Sequence, residues 1–188
     1  MLRMARAQNL IPVSPSVVQR SKMRAPEFLP LILEPKSNYY TDPVAVLDFQ
    51  SLYPSMMIAY NYDYATVIGR VEHLGIDDAF ELGCYENEIS PYLLEELGDA
   101  IHISPAGVAF VKSSVRKGIL PEMLEQILDT RQMVKRSMKK WRNQGATLQK
   151  ILDSRQLGLK LIANVTYGYT SANFSGRMPC VDVNTIFF

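Results

Sequence analysis

AVLDFQSLYPS, residues 45–55, joins an apolar run to a group of polar and aromatic side chains through a single acid, Asp48. VAVLDF (44–49) is short, apolar and rich in β-branched residues, the pattern of a buried strand. Pro54 then opens SMMIAYN, where its fixed φ and missing N–H suit the first turn of a helix. The stretch reads as strand, tight turn and helix, with a carboxylate held at the strand end.

Outward from it, the chain is ordinary in size and composition. Its 188 residues make one domain the default. Hydrophobic residues are 47% and charged residues 21%, as in soluble globular proteins. No apolar run approaches the ~18 residues of a membrane span. MLRMARAQNL has two arginines but no apolar core, so it does not read as a secretory signal. Cys84 and Cys180 lie far apart and form no CxxC pair, so no metal or iron–sulfur cluster is expected, and a reduced intracellular setting fits. Residues 1–43 carry IPVSPS, RAPEFLP and LEPKS and read as extended and loop-like. Residues 62–111 are mixed, with GVAFVK (107–112) a strand after the turn-forming SPAG. There is no internal repeat.

Charge is divided along the chain although the net charge is only +1. Residues 72–99 hold nine acidic residues and no Lys or Arg, while residues 112–160 hold twelve Lys or Arg against four Asp or Glu. Such a basic block is a candidate for a phosphate-rich partner; charge alone favours a solvated helical surface. The block falls on two predicted helices, Leu120 to Arg142 with Pro121 near its start and Ala146 to Tyr167, joined by RNQGA. On the first, Leu120, Leu124, Ile127, Leu128, Val134 and Met138 lie within about 60° of Arg131, and Lys135 is one turn further on. A guanidinium amid apolar residues either meets an anion or reaches out to water, and the helix alone does not choose. On the second, Lys160, Asn164 and Tyr167 share a face, a set able to hold a phosphate, make a directional hydrogen bond and stack on a base. The mostly apolar surroundings argue against a face in water, and Gly168 allows close approach at the helix end.

Set beside these helices, Asp48 acquires a chemistry. Phosphoryl transfer uses divalent metals to neutralise charge between nucleophile and leaving group, and magnesium prefers carboxylates, a few other oxygens and water. Backbone amides after Asp48 would cradle a triphosphate. Taken alone, a strand-end Asp is more often a turn former.

DFQSLYPS resembles the first catalytic motif of family B DNA polymerases, DFxSLYPS, and KLIANVTYG resembles the family's KxxxNxxYG motif. Between them, RKGILPEMLEQILDTRQMVK is similar to the first fingers helix. The likeness spans about residues 10–183. It implies an α+β fold: a partial palm with a short β-sheet and a helical-hairpin fingers subdomain. Residues 1–43 would lead into the palm, 44–111 form part of it, 112–170 form the fingers and 171–188 begin the return.

It also implies roles. Asp48 would be a catalytic metal ligand, with the Phe49 carbonyl a second metal contact. Ser51 and Leu52 would present amides to the incoming triphosphate, and Tyr53 would exclude a 2′-hydroxyl. Arg131 and Lys135 would bind phosphates, Lys160 would contact them and protonate pyrophosphate, Asn164 would face the triphosphate, and Tyr167 would pack by the nascent base pair. Many members have Ser where this chain has Val165.

The implied reaction joins a deoxynucleoside triphosphate (dNTP) to a primer 3′-hydroxyl with two Mg²⁺ ions, on primer–template DNA, in the nucleus. Accessory subunits of the family bind regions outside this chain. The family's second metal-binding Asp comes from a DTDS motif, which this sequence does not contain. The sequence after Val183, ending NTIFF, reads as truncated. The expectation is that the chain does not polymerise alone and is only partly folded; the alternatives are a non-catalytic nucleotide- or DNA-binding fragment, or a truncated gene product.

Overall fold

The computed structural model describes residues 1–12, 14–23, 33–76, 78–83, 85–143, 145–171, 180 and 183. Cys84, most of the segment after Ser171 and the NTIFF tail lie outside the described residues. The architecture is α+β. Short helices α1 (Leu2–Ala7) and α2 (Val17–Lys22) precede α3 (Leu52–Tyr60). Then come β1 (Val67–Arg70), β2 (Phe80–Leu82), β3 (Tyr85–Asn87), α4 (Pro91–Leu97), β4 (Ile101–Ile103) and β5 (Val108–Val111). Two long helices, α5 (Ile119–Lys140) and α6 (Ala146–Gly168), pack side by side.

The run GVAFVK explains the sheet. β5 is the middle strand of an antiparallel sheet ordered β1-β5-β4, so both of its edges are paired, and a core packs on each of its faces. Val108 and Phe110 enter one core with Met57, Tyr62, Leu120, Leu124 and Ala163. Ala109, pointing to the other face, enters a second with Ile68, Phe80, Leu82 and Ile89. An unbroken apolar strand is what a position buried on both faces requires. The acidic stretch, which shows no clear period, supplies the β2–β3 hairpin and α4, whose Leu94 and Leu97 lean on the second core.

Both long helices form within two residues of their expected ends. Gly145 turns the chain between them at φ 123°, a value side chains rarely adopt. Pro54 lies in the first turn of α3, as expected.

Three expectations are corrected. Residues 1–43 are not wholly extended: α2 carries a Ser16–Gln19 capping box, a local signal the Pro-rich reading passed over. VAVLDF is not a buried strand. Residues 43–49 are irregular and exposed, with Val46 88% and Leu47 93% accessible. A strand needs a neighbouring backbone, and among the described residues none pairs with this run. Finally, among the described residues nothing lies within 4 Å of a Cβ built on Gly168, so the close approach expected there is not seen among them.

A buried polar junction, unsuspected from the sequence, ties α3 to α5. Asn61 and Asp63 are 2% and 1% exposed. Asn61 adopts a left-handed conformation at the end of α3, and its Nδ2 donates to the carbonyls of Val111 and Arg116, both at 2.8 Å. The Gly118 amide donates to Asn61 Oδ1 at 2.8 Å, and the Leu120 amide donates to Asp63 Oδ1 at 3.0 Å. Asp63 thus caps α5 from a distance, placing negative charge at its N-terminus. A Cβ on Gly118 would sit 2.6 Å from the Asp63 Cβ, so only glycine fits there.

Beside this junction, His102 of β4 shares a hydrogen bond with the Tyr62 hydroxyl across 3.3 Å. Burial, reinforced by the Lys112 charge, pulls the His102 pKa below 6.5, while burial pushes Tyr62 up to about 12. The sign for His102 follows from which state takes the proton first. On acidification the unfolded chain, with the higher value, protonates before the folded one, so stability falls as pH drops below 6.5. In His102→Gln, urea unfolding at about pH 7.5 and about pH 5.5 is expected to show a smaller loss on acidification. An undiminished loss would assign it to other groups.

Candidate functional site

The turn after Asp48 is built on a strained residue. Ser51 caps α3 with φ 53° and ψ 52°, left-handed values that cost a non-glycine residue of order 1 kcal/mol. The turn is held where the Ser55 amide donates to the Ser51 carbonyl at 2.9 Å and the Ser55 hydroxyl donates to the Gln50 carbonyl at 3.0 Å. The start of α3 thus lies at the turn, and a helix N-terminus of this kind is where anions bind.

That turn borders an open recess of about 300 Å³ lined by Gln50, Ser51 and Ser55 from one side and by Leu128, Asp129, Arg131, Gln132 and Lys135 of α5 from the other. Ser51, Arg131 and Lys135 are therefore brought together. Arg131 is half-buried, and its Nε donates to Gln156 Oε1 on α6 at 3.3 Å. The buried half of the α5 stripe ends at Leu124, and Ile127, Leu128, Val134 and Met138 are only half-covered. The guanidinium thus emerges where the stripe opens and has a neutral amide for a partner.

A second pair meets across α3 and α6. The rings of Tyr53 and Tyr167 lie 4.6 Å apart, tilted by 30°, a contact worth about 0.5–1.5 kcal/mol beyond area burial. It places the two aromatic residues singled out from separate motifs side by side.

Other expected residues stand apart. Asp48 and Phe49 are exposed and do not line the recess; Leu52 is also exposed, at the start of α3. Lys160 and Asn164 are exposed on α6. The apolar surroundings of these two do not bury their face: Leu161, Ile162 and Val165 are themselves 54%, 54% and 64% exposed. Leu152 and Ala163 are the buried residues of α6. An amphipathic reading needs one apolar face, and α6 has two. Gln156, Asp129 and Gln132 were not anticipated; Gln156 lies one turn before Lys160 on the same side, a spacing that could have marked it.

Among the described residues no group of three or more His, Cys, Asp or Glu is placed to hold a metal ion. Asp48 forms no ion pair among them. One exposed carboxylate suits an ion that takes its remaining ligands from substrate phosphates and water.

The model of DNA polymerase family B matches residues 1–186, and the chain belongs to that family. Its similar proteins within the family include zeta and, at lower identity, delta catalytic subunits. It is 62% identical to the DNA polymerase zeta catalytic subunit of Homo sapiens over 183 residues, covering 97% of this chain and 6% of that protein. It is equally, 62%, identical to that of Drosophila melanogaster, over 97% of this chain and 9% of the relative. The chain thus spans less than a tenth of these relatives. A solved family B DNA polymerase from the archaeon Pyrobaculum calidifontis superposes with a TM-score of 0.58 at 25% identity, over 98% of this chain and 20% of the other.

Proposed function

We propose that this chain is the nucleotide-binding part of a DNA-directed DNA polymerase, with α3 and the sheet in its palm and α5–α6 as its fingers. The observation that carries this is the recess in which Ser51, at a strained turn, faces Arg131 and Lys135. A triphosphate there meets amides at the start of α3 and two cations on α5. Its arrival gives Arg131 a charge-assisted partner in place of the Gln156 amide. Lys160, on the next helix, contacts the phosphates and delivers a proton to departing pyrophosphate, and Asn164 orients the triphosphate. Tyr53, held by Tyr167, lies beneath the sugar and leaves no room for a 2′-hydroxyl. Leu161 and Val165 offer an exposed apolar wall that a base pair would cover.

Asp48 and the Phe49 carbonyl would hold Mg²⁺, which supplies charge neutralisation at the reacting phosphate. A two-metal site needs another carboxylate, and the sequence has no DTDS motif to provide it. The chain alone therefore binds nucleotide without incorporating it. The likeness to zeta subunits supports translesion synthesis on primer–template DNA, a nuclear address, and accessory subunits bound elsewhere on a longer protein.

Titrating the purified chain with a fluorescent dNTP in Mg²⁺ is expected to give saturable binding competed by unlabelled dNTP. Primer extension by the same preparation is expected to give no product. Absence of competition would remove the nucleotide site; extension of the primer would remove the requirement for a further carboxylate.

A further inference from the structure

Tyr60 ends α3, five residues after Ser55 and nine after Ser51, so by helical rise it lies about 7–13 Å along the axis from these two residues of the recess. Its ring stacks on His102 at 4.6 Å with 19° between planes, and on Tyr62 at 5.6 Å with 25°. Behind them the Phe110 ring lies 4.7 Å from Tyr62. The inner members are fixed, since Tyr62 is 1% and Phe110 0% exposed, while Tyr60 keeps 40% of its surface in solvent. An outer ring backed in this way presents a stacking surface at little conformational cost.

Two cations stand on segments that meet at it. Lys112 lies near enough to His102 for its charge to act on the ring, and its Nζ donates to the Asp99 carbonyl at 2.6 Å. Arg116 is tied to the platform through its carbonyl, which accepts from Asn61, the residue after Tyr60. Both side chains are exposed, and neither forms an ion pair among the described residues. Aromatic rings beside cations are the two elements that hold unpaired nucleic acid, the rings taking bases and the cations the backbone.

We propose that Tyr60 and His102, with Lys112 and Arg116 on the adjoining segments, form a stacking platform for a base of single-stranded DNA. The occupant is the unpaired part of the template strand, a few nucleotides from the recess. This rests on the chain acting on DNA, but it concerns a surface separate from the nucleotide recess.

The test uses the purified chain and a short oligothymidylate carrying one 5-iodouracil. Irradiation is expected to crosslink it to Tyr60 or His102, mapped by mass spectrometry. Tyr60→Leu should weaken binding at least about fivefold, with Tyr60→Phe close to the unaltered chain. Lys112→Ala with Arg116→Ala should lower the slope of log affinity against log salt by about 1.4. Affinity for dNTP should be unchanged in all of these, so loss of dNTP binding by the unaltered chain would sink the nucleotide reading and leave this one standing. Crosslinks confined to α5 and α6, or a Tyr60→Leu chain that binds the oligonucleotide normally, would overturn the platform. Should Tyr60→Leu lower the melting temperature, crosslinking of the unaltered chain decides. Displacement of the oligonucleotide by an uncharged proline-rich peptide at equal affinity would assign the rings to a protein partner instead.

Discussion

Asn61→Ala is expected to be the most damaging single substitution in the chain, costing more than about 4 kcal/mol. The side chain holds two carbonyls and one amide from the segments that lead out of β5 and into α5. All three lose their partner at once, in a site where Asn61 itself is 2% exposed. A buried group left without its hydrogen bond costs roughly 1–3 kcal/mol, and alanine leaves no room for a well-bonded water network without repacking. For a domain of this size each kcal/mol shifts the melting temperature by roughly 2–4 °C, so a fall of about 8–16 °C is expected by circular dichroism. A fall of only a degree or two would mean that water or neighbouring backbone satisfies those groups. Unfolding without a cooperative transition in the unaltered chain would show that the isolated piece is marginal, and the comparison would then be made in a longer polypeptide.

The second large effect is expected at the recess. Arg131→Ala removes the half-buried guanidinium that faces Ser51 and Gln50. One charge-assisted hydrogen bond to a phosphate contributes about 1.5–3 kcal/mol, so the dissociation constant for dNTP should rise about 10- to 150-fold. Arg136 is exposed on the same helix but does not line the recess. Arg136→Ala is therefore the control for simple loss of positive charge, and its effect should stay within about threefold, as for a screened surface charge. Equal losses in the two variants would mean that the basic hairpin attracts nucleotide by overall charge rather than through a built site.

The local elements were written plainly in the chain. Periodic apolar residues, Pro121 at the start and Gly145 between them gave α5 and α6 their ends, because helix geometry depends on neighbours three and four residues apart. DFQSLYPS, RKGILPEMLEQILDTRQMVK and KLIANVTYG likewise marked Ser51, Tyr53, Arg131 and Tyr167 before any coordinates, and in the structure Ser51 and Arg131 line one recess while the Tyr53 ring packs against Tyr167.

What the chain did not reveal depends on distant partners. VAVLDF has every local mark of a strand, yet Leu47 is 93% exposed, because a strand forms only where another backbone accepts its hydrogen bonds. Asn61 and Asp63 look like loop residues in YNYD, and only the approach of Gly118 and Leu120, more than fifty residues later, turns them into a buried junction. The apolar residues of α6 divide between a face packed on α5 and an open face beside Asn164, a division set by which neighbours arrive. The sequence by itself determined the two long helices, the turn at Ser51 and the family, since each rests on contacts within a few residues or on a contiguous motif. Only the tertiary structure decided which of those pieces meet, because burial and hydrogen-bond satisfaction belong to pairs of segments and not to either one alone.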